Sequence, residues 1–177
     1  MMRTRIWHWL APVLVLALGA GVGLAFVVGA AVRPDPLPVD RTPVPLAGHR
    51  PCAAVQVFFE AGVPGRDLDQ EMRRAAAALA DDPKARRVYT ETQAEAWVRF
   101  QELFKDRPDL LAEAGPENMP ATVTVIPVPG TDLTAYATEL GKRFPAAKNA
   151  QPYDVNAVRD KVEPSKRGPA CPRAGEF

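Results

Sequence analysis

From Leu10 to Val32 the chain reads LAPVLVLALGAGVGLAFVVGAAV without a single charged side chain. At 1.5 Å of rise per residue such a run, wound as a helix, crosses a hydrocarbon core of about 30 Å. A transmembrane helix over residues 6–32 is therefore the expectation, with residues 1–5 as a short cytoplasmic tail. The other reading is a cleaved signal peptide, for which Val28-Gly29-Ala30 is a passable cleavage site, although the apolar region of such a peptide spans only about 7 to 15 residues. Arg3 and Arg5 flank the near side, whereas Arg33 on the far side is balanced by Asp35, so the positive-inside rule leaves the amino terminus in the cytoplasm. Trp7 and Trp9 fall where an interfacial aromatic belt sits. A single pass through the cell membrane, with everything after Arg33 extracytoplasmic, follows from this charge bias.

What remains is enough for one ordinary domain, since the whole chain has 177 residues and a domain takes about 100 to 200. Its 22 basic and 21 acidic residues nearly cancel to +1, so no basic field exists to neutralise phosphates, and nucleic acid is not an expected partner. The 19 prolines are unevenly spread. Six of them, Pro34, Pro36, Pro38, Pro43, Pro45 and Pro51, lie in RPDPLPVDRTPVPLAGHRP. That density blocks a helix and favours polyproline II, so residues 33–51 read as a semi-rigid stalk.

The domain itself is expected over residues 52–163, followed by a flexible tail at 164–177. Ala53 to Glu60 (AAVQVFFE) is rich in β-branched and aromatic residues and reads as a strand. After the Gly62, Pro64 and Gly65 break, Leu68, Met72, Ala75 and Leu79 mark one helix face behind an Asp67 cap. Ala85 to Thr90 reads as a short strand. Thr92 and Glu95 form a capping box before a helix bearing Trp97, Phe100, Leu103 and Phe104, and Pro108 opens a second short helix that ends before Gly115. Ala121 to Ile126 alternates Thr122 and Thr124 with Val123 and Val125 and is the clearest strand in the chain. Thr131 or Asp132 caps a last helix with Leu133, Tyr136, Ala137, Leu140 and Phe144 on one face. Residues 153–162 suit a fourth strand or a short helix equally. The order of elements predicts an α+β fold, a ferredoxin-like split βαβ sandwich with a two-helix insert between its second and third strands.

Catalytic patterns are thin. Ser165 is the lone serine and has no glycine elbow around it. Of the two histidines, His8 is at the membrane and His49 in the stalk, so no metal site is expected. The GVPG of residues 62–65 lacks the lysine and hydroxyl residue of a phosphate loop, which argues against a nucleotide, and no cofactor is expected. The carboxylates Asp67, Asp69, Asp81 and Asp82 read as helix starts and solvated helix ends. Cys52 and Cys171 bracket the domain, and a disulfide between them is favoured in an oxidising compartment, with free thiols or an intermolecular bridge as the alternatives.

The succession AAVQVFFE, the charged helix after Asp67, RRVYTETQAEAWVRFQELF and ENMPATVTVIP resembles the extracellular domain of FtsX, the permease-like cell-division protein. In that family a strand ending in a tyrosine leads into a helix opened by Ser or Thr and bearing spaced phenylalanines, then through a polar stretch into a Thr/Val strand. Tyr89, Thr92, Ala96, Phe100, Phe104, Asn118, Met119, Pro120 and Ala121 occupy those places. The resemblance covers roughly residues 53–145 and the preceding membrane helix. Family members continue into three further membrane helices and a permease domain that engages the FtsE ATPase. The sequence here has no second hydrophobic segment, so it is expected to be a stand-alone version, and coupling to ATP hydrolysis is not carried over.

What the resemblance implies is a non-catalytic binding module facing the cell wall, with a peptidoglycan hydrolase, its activator or another division component as partner. Trp97, Phe100, Leu103, Phe104, Leu110, Leu111 and Met119 are the expected contact residues, because two short helices bury less apolar area than these side chains bring. The alternative is a domain that binds a small molecule, a lipid or a glycan, or acts on one as an enzyme of unfamiliar type.

Overall fold

A computed structural model describes residues 35–60, 66–162 and 168–177. The expected cytoplasmic tail and transmembrane segment lie outside the described residues, as does Ser165. Among the described residues no helix is long and apolar enough to cross a membrane.

Among the described residues five strands and five α-helices follow one another: β1 (Val44–Pro45), β2 (Ala53–Phe59), α1 (Leu68–Ala80), β3 (Ala85–Glu91), α2 (Gln93–Leu103), α3 (Pro108–Glu113), β4 (Ala121–Pro127), α4 (Leu133–Arg143), β5 (Asn149–Asp154) and α5 (Val155–Val162). A 3₁₀ turn at Pro116–Asn118 joins α3 to β4. All belong to the compact unit Leu37–Phe177. The strands form one sheet in the order β1-β3-β4-β2-β5. β4 runs antiparallel to both β2 and β3, and β5 runs antiparallel to β2. Two βαβ crossovers are thus interleaved, β2-α1-β3 and β4-α4-β5, with α2 and α3 inserted between the second and third long strands.

The helices that cover the sheet are the ones whose sequences carry a continuous apolar face. Leu68, Met72, Ala75, Ala76 and Leu79 of α1 and Tyr136, Ala137 and Leu140 of α4 pack on Val55, Val57, Phe59, Val88, Val123 and Val125. Fully burying one such aliphatic or aromatic side chain stabilises the fold by about 1.5 to 3 kcal/mol, so this layer is the main cohesive part of the domain. Capping fixes where each helix starts. The Asp67 carboxylate accepts from the Gln70 N–H at 2.8 Å, and Asp132 accepts from Thr134 and Ala135 at 2.9 and 3.0 Å. Asp82, expected as a solvated helix end, is instead buried at 5 % exposure. It accepts from the Tyr136 hydroxyl at 3.1 Å and from Arg143 at 2.8 Å, which ties the C-terminal ends of α1 and α4 together.

The opposite face of the sheet departs from simple alternation. Thr122 and Thr124 are 3 % and 1 % exposed, so β4 is buried on both faces. Three neighbours produce this: a second apolar cluster of Ala54, Tyr89 and Ile126 with Val44, Leu46 and Tyr153 packed against it, the proline-rich segment, and the C-terminal residues. Val44 and Pro45 pair in parallel with Tyr89 and Thr90, the Asp40 N–H donates to the Arg86 carbonyl, and the Leu46 N–H to that of Thr90. The stretch expected as a stalk therefore runs along the sheet edge from Asp40 onward, a position that tolerates Pro45 because an edge strand leaves one row of groups unpaired. Residues 172–177, expected as part of a flexible tail, hydrogen-bond to the start of β2 through Gly175 and to Arg50 through Phe177. Cys52 and Cys171 form a disulfide with Cα atoms 5.6 Å apart. The stretch at 153–162 uses both of its propensities in turn, since β5 ends at Asp154 and that same carboxylate caps the first turn of α5.

Candidate interaction surface

The insert is built outside the core. Its first helix starts at Thr92, whose hydroxyl accepts from the Glu95 N–H while Glu95 reaches back to the Thr92 N–H at 2.8 Å. Asp69 of α1 accepts from the Gln93 N–H at 3.0 Å, and the Gln93 side chain donates to the Met119 carbonyl at 2.9 Å, so α2 is tied both to the helical layer and to the returning chain. Glu91, the last residue of β3, holds Arg99 with two bonds of 2.6 Å. Its side chain is 7 % exposed and that of Arg99 64 %. The hydrogen bonds that Arg99 donates to Glu91 hold its guanidinium above its ordinary range.

On this frame Trp97, Phe100 and Phe104 form a ladder of rings, with centroids 5.6 Å apart in the first pair and 4.6 Å in the second. All three are half-buried, as are Leu110, Leu111 and Met119, and Leu103 is 69 % exposed. Ala96 is the one fully buried residue of α2, and α3 has none. None of the seven expected contact residues joins either core cluster. Phe100, Leu103 and Met119 border a hollow of about 180 Å³ together with Ala96, Arg99 and Pro120. Leu110 and Leu111 sit on α3 and do not line it.

Behind α2 lies a larger open groove, about 900 Å³ in volume, which sequence reasoning missed. One wall is Leu46–His49, the other is Ala94, Val98 and Leu103 of α2, and Thr90 and Glu91 form its base. Val98 is 65 % exposed. The groove exists because the proline-rich segment turns onto the sheet. The available signal was the spacing of Val44 and Leu46, two residues apart and both packed on Ala54, Tyr89 and Ile126. The His49 ring lies 4.4 Å from that of Tyr89, and the Tyr89 hydroxyl donates to Glu176 at 2.5 Å. Burial, followed by the Glu176 hydrogen bond and charge, pushes the Tyr89 hydroxyl above its ordinary range. Burial also works against the charged form of Glu176, but hydrogen bonds from Tyr89 and Arg86 outweigh it and hold the carboxyl below its ordinary value of 4.5.

The polar groups around the insert are thus engaged with one another: Glu91 with Arg99, Glu95 with the helix cap, Glu176 with Tyr89 and Arg86. Among the described residues no group of three His, Cys, Asp or Glu side chains is placed to hold a metal ion. The arrangement offers apolar contact area on a braced helix, the chemistry of protein recognition.

No curated protein and no solved structure matches the chain. A family model does, that of the FtsX extracellular domain, over residues 53–144, just over half of the sequence. The matched stretch runs from β2 to the end of α4 and includes the whole insert, while β1, β5 and both cysteines fall outside it. By that match, the chain belongs to the FtsX extracellular-domain family, the extracytoplasmic modules of cell division.

Proposed function

We propose that this protein is a non-catalytic, membrane-anchored module that recruits or regulates a peptidoglycan hydrolase, its activator or another division component outside the cytoplasm. The observation that carries the reading is the ring ladder of Trp97, Phe100 and Phe104, left half-buried on an insert that contributes nothing to either core cluster. Leu103 and Met119 border the same hollow as Phe100, and Leu110 and Leu111 on α3 complete the proposed contact set. The uncharged run Leu10–Val32 and the arginines before it support a single membrane pass with the domain outside. The strand order β3-β4-β2-β5 with its two crossovers supports the ferredoxin-like description of the scaffold.

A test uses the full chain in membranes, carrying a periplasm-type reporter after Phe177 and cross-linked to its neighbours. The reporter is expected to be active, and Trp97→Ala combined with Leu103→Glu is expected to abolish cross-linking to a wall hydrolase or its activator while the domain stays folded. An inactive reporter, or cross-linking unchanged in the double variant, sinks the proposal. The groove beside Val98 gives the second reading, binding of a small molecule, lipid or glycan, its one supporting observation. Native mass spectrometry of the detergent-released protein with a retained ligand would favour it.

A further inference from the structure

The last residues of the chain are held by two kinds of fastener. The covalent one is Cys52–Cys171, which closes a sequence separation of 119 residues. The other is a set of non-covalent contacts between residues 174–177 and the sheet. The Gly175 carbonyl accepts from the Cys52 and Ala53 N–H groups at 2.8 and 3.1 Å, and the Phe177 N–H donates to Arg50 at 3.0 Å. Glu176 accepts from Arg86 at 2.8 Å and from Tyr89 at 2.5 Å, with the Arg87 guanidinium 3.3 Å away. Arg86 also donates to the Ala174 carbonyl.

Gly175 is required at its place twice over. Its φ is +76°, and a Cβ there would stand 2.7 Å from the Ile126 side chain and 3.0 Å from the Ala53 carbonyl. It is also the one fully buried residue among 168–177, and Phe177 is 46 % exposed. No side chain of the strap enters the helix-covered core. A few hydrogen bonds and one carboxylate cluster are weak restraint for a segment of this length, because ordering each residue carries its own entropic cost. The disulfide offsets that cost by keeping the segment beside its seat at high effective concentration.

The strap in turn braces one wall of the groove. His49 rests on the Tyr89 ring, Glu176 fixes the Tyr89 hydroxyl, and Phe177 bonds to Arg50, next in sequence to His49. Removal of Glu176 would leave the Arg86 side chain, 3 % exposed, without its carboxylate partner, and a buried cation in that state must move or find water.

We propose that the C-terminal strap is a thiol-sensitive clasp, whose release on reduction of Cys52–Cys171 dismantles the Leu46–His49 wall of the groove and leaves the sheet and its helices folded. Cys52 is fully buried and Cys171 half-buried, so the attack falls on Cys171. A dithiol supplies the electrons. Its first thiolate bonds to Cys171 Sγ as the Sγ–Sγ bond breaks, and Cys52 leaves and takes a proton. The second thiolate attacks the reductant sulfur of that mixed disulfide, and Cys171 leaves and takes the other proton. The dithiol ends as a disulfide, oxidised by two electrons, and the cysteine pair is reduced by two.

The experiment is solution NMR of the full chain in nanodiscs, before and after dithiothreitol, with mass spectrometry confirming the gain of two hydrogen atoms. Backbone signals of Pro172 to Phe177 that have an N–H are expected to move to unstructured positions, and those of Leu46 to Arg50 and the Val98 methyls to shift. Methyl signals of Leu79, Leu140 and Val123 are expected to hold their places. In the oxidised protein Gly175→Val is expected to shift the same strap and wall signals with the disulfide intact. Strap signals unmoved after complete reduction overturn the proposal. So does collapse of the Leu79, Leu140 and Val123 signals together, since reduction would then unfold the domain, and so does a Gly175→Val spectrum unchanged outside residue 175. None of these readouts involves a division partner, so the clasp and the proposed interaction role fail separately.

Discussion

Truncating Phe100 to alanine separates a surface helix from a core helix, and the structure supplies the internal standard. Phe59 in β2 is 1 % exposed and sits in the main cluster. Phe59→Ala removes a fully buried ring and leaves a closed void, at a cost of about 3 to 5 kcal/mol. Phe100 is half-buried and already borders an open hollow of about 180 Å³, so its truncation widens that hollow and creates no sealed cavity. What it loses is part of its buried area and two ring contacts, with Trp97 at 5.6 Å and Phe104 at 4.6 Å between centroids. Aromatic pairs contribute about 0.5 to 1.5 kcal/mol each beyond area burial, and truncation removes both pairs, so Phe100→Ala should cost roughly 1 to 3 kcal/mol.

Converted at roughly 3 °C per kcal/mol for a domain of this size, Phe59→Ala should lower Tm by about 9 to 15 °C and Phe100→Ala by about 3 to 9 °C. Circular dichroism melts of both variants, run beside the membrane cross-linking assay, measure stability and partner contact on the same samples. An interface anchor loses about 2 kcal/mol or more of binding when truncated, so Phe100→Ala should reduce cross-linking at a temperature where it remains folded. If Phe100→Ala melts as low as Phe59→Ala and the surviving folded fraction cross-links normally, the ring ladder is core and the surface assignment is wrong.

Glu176 gives a pH signature. Its carboxyl titrates below 4.5 in the folded state, so its contribution is present above that value and disappears as pH falls through the lower folded value. The wild type should therefore lose stability more steeply than Glu176→Gln as pH falls below 4.5, and parallel acid titration curves would contradict this. Thr92→Ala removes one half of the capping box that starts α2 and should cost about 1 kcal/mol. Because α2 lies outside the core clusters, that loss should appear as faster amide exchange in 93–96 with little change at Val123 and Val125.

Local physics made most of the scaffold legible. The faces of α1 and α4, the caps at Asp67, Thr92 and Asp132, and the start of α3 at Pro108 all depend on residues within four positions of one another, and the structure places each where periodicity and capping chemistry put it. The second face of the sheet was hidden because its cover comes from far along the chain. Tyr89 meets Glu176 across 87 positions, and Arg86 meets the Pro38 carbonyl across 48. The alternation of Thr122 and Thr124 with valine gives no sign that the threonines are buried, yet they are 3 % and 1 % exposed, and Val44, Leu46 and Gly175 lie in the segments that cover that face. Proline density misled in the same way: it correctly excludes a helix, yet an edge strand needs donors on one side alone, and Asp40 and Leu46 provide them.

The seven expected contact residues were singled out by a different route, from an excess of apolar area over the volume available to bury it. That argument fixes exposure but not orientation, and orientation comes from the polar ties. The Glu91–Arg99 fork, the Asp69 bond to the start of α2 and the Gln93 bond to Met119 brace one helix from strand, neighbouring helix and return loop. A stripe of aromatic side chains on an unbraced helix would have to be ordered at the moment of binding, and each immobilised side chain costs roughly 0.5 to 1.5 kcal/mol at that step. Here the rings already stack on one another and their helix is already tied, so much of that cost falls on folding, where the main core of the sheet and its two helices offsets it. The same separation explains why the insert tolerates half-exposed phenylalanines: the layer that holds the domain together and the proposed contact face are made of different residues.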